Sequence, residues 1–491
     1  MDDIKTQISE VFYTYTQAKP AQIENIPQSG GNRRYFRIHA NGKSYIATYN
    51  LNIKENNTFI YFSKHFAHLK LPVPKVLHIT DAKTIYIQED VGYNSLLNIL
   101  EEKGYTDEVY KLFQQSLKQL AHMQITGDKG LDYNACLTAK EFGKQAILSD
   151  LLYFKYYFLD TLKLPYDKQV MLDDFDALST YLTRTAYKHF MFRDFQSRNI
   201  LVKNSTVHFI DFQGGMKGAL QYDVASLLWQ AKAGLKEEWK NNLLHYYINE
   251  ANQLLPQPID ETTFISQYNG YVLIRLLQVL GAYGFRGLFE RRAHFLISIP
   301  LALRNLKWFI ENKRIGINLP EFERILHAIV QDDIITQFEP LRANEHTPLV
   351  VKINSFSYLK NGIPKDESKN GGGFVFDCRG ILNPGRFEEY KTLTGKEKPV
   401  IDFLEEKTKM PSFLNNVYNM VDIAVENYIE RNFDSLMINF GCTGGQHRSV
   451  YAAEQTARHL KNKFGVKIEL KHIEQEASVQ KKDHKNQKLH F

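Results

Sequence analysis

The sequence predicts an α/β chain of two domains, the first built from a β-rich lobe running into a helical lobe and the second smaller. Three observations carry this. Residues 28–92 consist of short apolar runs punctuated by turns, with a glycine turn leading to RYFRIHA, KSYIATY, PKVLHIT and TIYIQED. After Gly92 the pattern turns helical, through KLFQQSLKQLAHMQ, AILSDLLYFKYYFLDTL, DDFDALSTYLTRTA, YVLIRLLQVLGAYGF and PLALRNLKWFIEN. At 338–349, FEPLRANEHTPL is polar, proline-containing and aperiodic, and VVKINSF then opens a new α/β pattern. The expected division is therefore a first domain over 1–337 (lobes about 1–92 and 93–337), a linker at 338–349, a second domain over 350–475, and a lysine-rich disordered tail at 476–491.

Length and composition agree. A chain of 491 residues exceeds a single hydrophobic core, and 43% hydrophobic and 13% aromatic content suffices for globular packing. No run of about 18 apolar residues suggests a membrane span, and MDDIKTQISEVFYTYTQ does not read as a signal peptide. Three scattered cysteines, Cys136, Cys378 and Cys442, are too few for a disulfide or zinc framework. A cytoplasmic setting is expected. The net charge of +6 is mild for this size, and no aromatic-basic module occurs, so RNA binding is expected to be weak or absent.

The most chemical segment lies in the helical half. In HFMFRDFQSRN, Asp194 and Asn199 have the D-x-x-x-x-N spacing of a phosphotransferase catalytic loop. A short apolar hairpin, Ile200–Val202 and Val207–Ile210, then delivers Asp211 in IDFQGG. The spacing follows from the chemistry. One carboxylate must take the proton of an attacking hydroxyl, while an amide and a second carboxylate hold the magnesium that bridges the phosphates of ATP. An acid pair near a hairpin is often plain turn chemistry. The order D…N…strand…D within an apolar frame points instead to phosphoryl transfer, and a β-rich lobe followed by a helical lobe is the bilobal protein-kinase-like plan.

The segments DFQSRN (Asp194–Asn199), IDFQ (Ile210–Gln213) and YDVASLL (Tyr222–Leu228) resemble the signature of the aminoglycoside-phosphotransferase-like kinases. Arg33–Arg37, Val73–Val76, Gln88–Gly92 and Leu276–Gly281 are similar to the subgroup acting on N-acetylmuramate and N-acetylglucosamine at the anomeric hydroxyl. That resemblance implies Asp194 as base, Asn199 and Asp211 as magnesium ligands, and Asp223 as a structural support of the loop. It places Ser29, Gly30, Gly31 and Asn32 over the phosphates, although a glycine pair alone is an ordinary hairpin turn. Gln88, Glu89, Asp90 and Val91, after an apolar strand, look like the hinge whose backbone binds adenine. Two departures stand out: Phe192 replaces the histidine common two positions before the base, and the third strand, YIATY, lacks the nucleotide lysine. Arg37 or Lys54 could supply that charge.

The second domain carries a different loop. Leu436–Phe440 reads as a buried strand, followed by GCTGGQHRS (Gly441–Ser449) and a helix, VYAAEQTARHLKNKF. Strand, glycine-rich turn and helix N-terminus aim backbone N–H groups at an anion. No Gly-Lys-Ser/Thr is present, which excludes a Walker-A loop. A plain tight turn is one alternative. A cysteine-phosphatase loop is another, since Cys442-x-x-Gly445-x-x-Arg448-Ser449 fits a thiolate nucleophile, although no acid loop is visible.

SFSYLKNGIP (Ser355–Pro364), FDCR (Phe376–Arg379), Asn383-Pro384, LTG (Leu393–Gly395) and Gly441–Val450 resemble the C-terminal domain of the RNase adapter protein RapZ. The resemblance implies a phosphosugar pocket, especially for glucosamine-6-phosphate, contacted by Lys360, Arg379, Thr443, Gly444, His447 and Arg448, with Cys442 and Gly445 within its loop. It also allows contact with RNA and oligomerisation through this domain. The combined expectation is an ATP-dependent kinase of an N-acetylated amino sugar in cell-wall recycling, carrying a domain that binds a phosphorylated amino sugar. The competing expectation is a regulatory sensor whose first domain binds without catalysis.

Overall fold

The computed structural model describes residues 2–26, 33–290, 293–339, 341–368 and 372–476. The expectations for Ser29, Gly30, Gly31 and Asn32, and for the tail beyond residue 476, lie outside them. The described residues form two compact units, one from Met1–Phe285 with Leu301–Ile335 and the other from Arg286–Pro300 with Thr336–Phe491.

The first unit opens with a helix, α1 (Asp2–Thr16), and a five-stranded antiparallel sheet: β1 (Gln22–Ile26), β2 (Arg34–Ala40), β3 (Lys43–Tyr49), β4 (Val76–Ile79) and β5 (Ile85–Glu89), in the order β1-β2-β3-β5-β4. Period-2 alternation puts Phe36, Ile38, Ala47, Ile85 and Ile87 on one face, where Ile8 and Phe12 of α1 cover them. A second helix, α2 (Ile53–His68), begins where Asn52 Oδ1 accepts the amide of Glu55 at 3.2 Å. Phe59, Phe62 and Phe66 of α2 are buried.

The helical lobe holds two small antiparallel ladders. Strand β6 (Lys188–Met191) pairs with β9 (Met216–Ala219), and β7 (Ile200–Lys203) pairs with β8 (Thr206–Phe209). The β7–β8 hairpin thus lies between the two strands of the outer ladder in sequence, so the loops bearing Asp194 and Asp211 are both tied to it. The helix Glu261–Tyr283 crosses this lobe. Among the described residues, only the stretch Glu261–Phe289 is long and apolar enough to cross a membrane, by length and composition. Gln267, Asn269 and Arg275 are buried along with its apolar residues, as in the core helix of a globular unit.

The second unit is a four-stranded parallel sheet of β10 (Val350–Ser357), β11 (Phe374–Asp377), β12 (Ser435–Cys442) and β13 (Lys467–His472), ordered β11-β12-β10-β13. Helices Lys398–Glu406, Met410–Glu430 and Arg448–Phe464 supply Val400, Val421, Val425 and Leu460 to a core completed by Val351, Ile353, Ile438 and Phe440. The run LMINF, apolar but for Asn439, which accepts from Asn354 Nδ2 at 2.9 Å, belongs to a strand covered on both faces. The fold class is the one the sequence predicts, a bilobal kinase-like unit followed by a smaller α/β unit; the structure adds that the first sheet is antiparallel and the second parallel.

Candidate functional site

Asp194 is placed by a carboxylate elsewhere in the chain. Asp223, fully buried, accepts the backbone amides of Phe192 at 2.7 Å and Arg193 at 2.9 Å, and its Oδ2 also takes the Gln124 amide at 2.9 Å. Burial pushes its pKa up to about 7, against the opposing pull of those donors and of Arg275. Arg193 is held with φ at +79°, a strained conformation for a residue with a side chain. Its guanidinium is pinned by Asp150 at 2.9 Å and the Tyr222 hydroxyl at 3.0 Å. The next residue, Asp194, presents a side chain 49% exposed and 3.5 Å from Arg275 Nη2.

The Asp194–Asn199 loop closes on itself. Asn199 Nδ2 donates to the Asp194 carbonyl at 2.9 Å, and the Asn199 carbonyl accepts the Ile210 amide at 3.0 Å. That second bond brings the end of the hairpin back to the loop, next to Asp211. Asp211 is likewise strained, with φ at +69°. Gln213 Nε2 donates to its Oδ1 at 2.8 Å, and Arg33 Nη2 donates to the same oxygen. The segments that bear Asp194, Asn199 and Asp211 are therefore gathered at one place. Phe192 is fully buried against Phe195 at 5.2 Å between ring centroids, and also meets Phe209 and Phe212. Phe212 in turn stacks on Phe59 of α2 at 4.9 Å. An aromatic ring at position 192 thus serves packing where a histidine was expected.

The hinge segment corrects one assignment. Arg37 was expected to offer charge to phosphates, but it is 7% exposed, with Nε 2.6 Å from Asp90 Oδ2 and Nη2 bound to the Gly92 carbonyl at 2.9 Å. Its guanidinium also lies 3.4 Å from the centroid of Tyr93. It braces the Asp90–Gly92 segment instead. Gln88 and Glu89 end β5, Asp90 and Val91 follow, and Lys203 Nζ donates to the Asp90 carbonyl at 2.7 Å. A cavity of about 510 Å³ borders Glu89, Asp90, Val91, Lys203 and His208. Lys54 is exposed on α2.

The donor chemistry suits a hard divalent cation. Asn199 and Asp211 offer an amide and a carboxylate oxygen, and among the described residues no group of three or more His, Cys, Asp and Glu could hold a metal. Such a sparse set fits magnesium brought in with phosphates, which keeps several waters and takes one or two protein ligands. Arg275 escaped the sequence reading. Its signal was a single arginine within the apolar run YVLIRLLQVLGAYGF, and in the fold it is 5% exposed, bound to Ser226 Oγ at 3.0 Å.

In the second unit, β10 and β12 are neighbours whose chains leave in opposite directions, β10 toward β11 and β12 toward β13. The crevice beyond their C-terminal ends is the topological switch point where open α/β sheets bind ligands. Gly441–Ser449 lies there, braced by Ser357 Oγ, which donates to the Thr443 carbonyl at 2.6 Å. Thr443 and Gly444 are exposed at the loop tip, and Lys360 and Arg379 are exposed in neighbouring segments. Lys360 pairs with Glu474 at 3.7 Å, and Arg379 pairs with Asp377 and lies 4.0 Å from the Tyr358 centroid.

The remaining loop residues face inward. Cys442 Sγ accepts the Gly445 amide at 3.2 Å and lies 3.1 Å from Ser449 Oγ, with the residue 2% exposed. Gly445, at φ +68°, sits where a Cβ would meet Glu474 Cγ at 2.3 Å. Two expected ligand contacts are corrected here. His447, 8% exposed, lies 2.9 Å from the Tyr390 carbonyl through Nε2. Arg448, 4% exposed, donates through Nη1 to the carbonyls of Ile381 at 2.7 Å and Arg379 at 3.0 Å. His447 and the Nη1 of Arg448 hold neighbouring loops, while Arg448 Nη2 lies 3.4 Å from Thr443 Oγ1 and its buried Nε makes no hydrogen bond among the described residues.

The first unit has a kinase-like fold with an antiparallel sheet, and the second is a smaller α/β domain with a parallel one. Residues 22–257 match the family model of the phosphotransferase enzyme family, and residues 349–476 match that of the RapZ C-terminal domain. Among curated relatives, a "nucleotide-binding protein" of Glaesserella parasuis is 37% identical over 134 residues, 27% of this chain and 44% of that protein. A "nucleotide-binding protein" of Fervidobacterium nodosum is 35% identical over 135 residues, 27% and 46% respectively. The chain thus spans less than half the length of these relatives. Similar solved structures include an amicoumacin kinase in complex with AMP-PNP and Ca2+ (12% identity, 65% of this chain and 99% of that one, TM-score 0.46). Another is a choline/ethanolamine kinase family protein from Mesorhizobium loti (13% identity, 67% and 98%, TM-score 0.44).

Proposed function

We propose that the first unit transfers the terminal phosphoryl group of ATP to a hydroxyl of an N-acetylated amino sugar, at the anomeric position, in cell-wall recycling in the cytoplasm. The observation that carries the reading is the convergence of Asp194, Asn199 and Asp211 through the Asn199–Ile210 backbone bond. Asp194, half-exposed, takes the hydroxyl proton as the bond to phosphorus forms. Arg275 holds its carboxylate in place from the buried side. Asn199 and Asp211 would hold the magnesium, which when bound would neutralise charge on the phosphates. Catalysis here is mainly positioning, so the buried Asp223 support matters as much as the reacting group.

The choice of amino sugar rests on the sequence resemblance, and a phosphosugar-binding second unit belongs to the same theme. There the exposed Thr443, Gly444, Lys360 and Arg379 are the proposed contacts, with Cys442, Gly445, His447 and Arg448 shaping the loop beneath. Incubating the full chain with labelled ATP and a sugar panel tests the reading. Transfer to N-acetylmuramate or N-acetylglucosamine, lost in Asp194→Asn, supports it. Nucleotide binding without transfer to any sugar favours the sensor reading, whose one supporting observation is that β3 holds no lysine beyond its first residue.

A further inference from the structure

A phosphotransferase site needs a protein cation for the phosphates, and the usual candidates are elsewhere. Lys43, the only lysine of β3, is exposed at the strand's first position, opposite Ala40. Arg37 is bound into the hinge. Arg33 is better placed. It immediately precedes β2, whose first residue, Arg34, pairs with Tyr49 at the opposite end of β3. From there Arg33 Nε lies 3.2 Å from Glu55 Oε1 in the first turn of α2, and Nη2 donates to Asp211. The two side chains of the pair are 12% and 19% exposed, and Asn50 Nδ2 fixes Glu55 from behind at 2.9 Å.

We propose that Arg33 is the phosphate-contacting cation of the nucleotide site, replacing the missing strand lysine, and that Glu55 is its positioning residue. The proposal rests on the kinase reading of the first unit. Its physical basis is charge and shape. Among the described contacts, one guanidinium is set between two carboxylates, and a divalent ion held at Asp211 would offset that negative charge. With Asp211 occupied by that ion, Arg33 can turn its planar fork to an anionic phosphate oxygen. Glu55 keeps the Nε edge fixed meanwhile, so little side-chain entropy remains to be lost on binding. The helix bearing Glu55 is itself packed on the Asp211 segment through Phe59 and Phe212, so cation and metal ligand are held on one rigid frame.

Titration calorimetry of the full chain with ATP, with magnesium and with a chelator, tests this. Arg33→Met should weaken ATP binding about 10- to 100-fold, the effect of losing a charge-assisted contact. Arg33→Lys, which keeps the charge and can keep Glu55, should fall between that variant and the natural protein. Glu55→Gln should raise KM for ATP more than it lowers kcat. Unchanged ATP affinity in both Arg33 variants, with wild-type binding intact, overturns the proposal even if stability drops, since that is how a merely structural strut behaves. Absence of nucleotide binding by the natural protein would overturn the kinase reading and this proposal with it.

Discussion

Asp194 owes its position to a carboxylate it does not touch. Asp223 collects two consecutive backbone amides and so forces the turn in which Arg193 adopts φ +79°. At this scale two expectations follow. Asp194→Asn should lower turnover by about 10²–10⁴-fold, the usual contribution of a general base, while leaving ATP affinity intact by calorimetry. The second concerns pH. Asp223 has its pKa raised from 3.8 to about 7, so between those values the folded chain binds more protons than the unfolded one. The stability from the protonated group is present at low pH and declines as pH rises toward 7. Urea midpoints at pH 5 and pH 7 should show that decline in the natural protein and a smaller one in Asp223→Asn. An equal decline in both would place its origin in another group.

At the scale of elements, legibility followed chemistry. Asp194, Asn199 and Asp211 could be read from the sequence because one hairpin sets their spacing, and such local order survives in the chain as a pattern. The Arg33–Glu55 and Arg33–Asp211 contacts could not be read, because they join segments remote in sequence through side-chain directions that no periodicity encodes. Arg37 was misread for the same reason: a long flexible side chain on β2 reached back to the hinge instead of forward to the site. In the second unit the loop was legible as strand, glycine turn and helix, but which members face solvent was not. Arg448 shows the consequence. Arg448→Ala would leave the Arg379 and Ile381 carbonyls without their donor, costing about 1.5–3 kcal/mol of stability by urea denaturation. Thr443→Ala, at the exposed tip, should change stability by less than about 0.5 kcal/mol. Equal effects would mean that the loop is not held from below.

For the whole molecule, the two units each bury their own core and carry their own candidate site. Two sites on one chain do not establish coupling. That requires glucosamine-6-phosphate to change turnover at Asp194, and by reciprocity nucleotide to change the affinity of the second unit for that ligand. The bilobal plan and a smaller α/β domain after it were legible, since a change of period from two to about 3.6 survives in the sequence as a pattern; that the second sheet is parallel, and that Arg286–Pro300 groups with the second unit, was not. The central claim is catalytic, and one measurement reaches it most directly: phosphoryl transfer from labelled ATP to a sugar panel by the full chain and by Asp194→Asn. The account predicts magnesium-dependent labelling of an N-acetylated amino sugar at its anomeric oxygen by the natural protein and none by the variant. Labelling that persists in Asp194→Asn, or none with any sugar while ATP still binds, would contradict it.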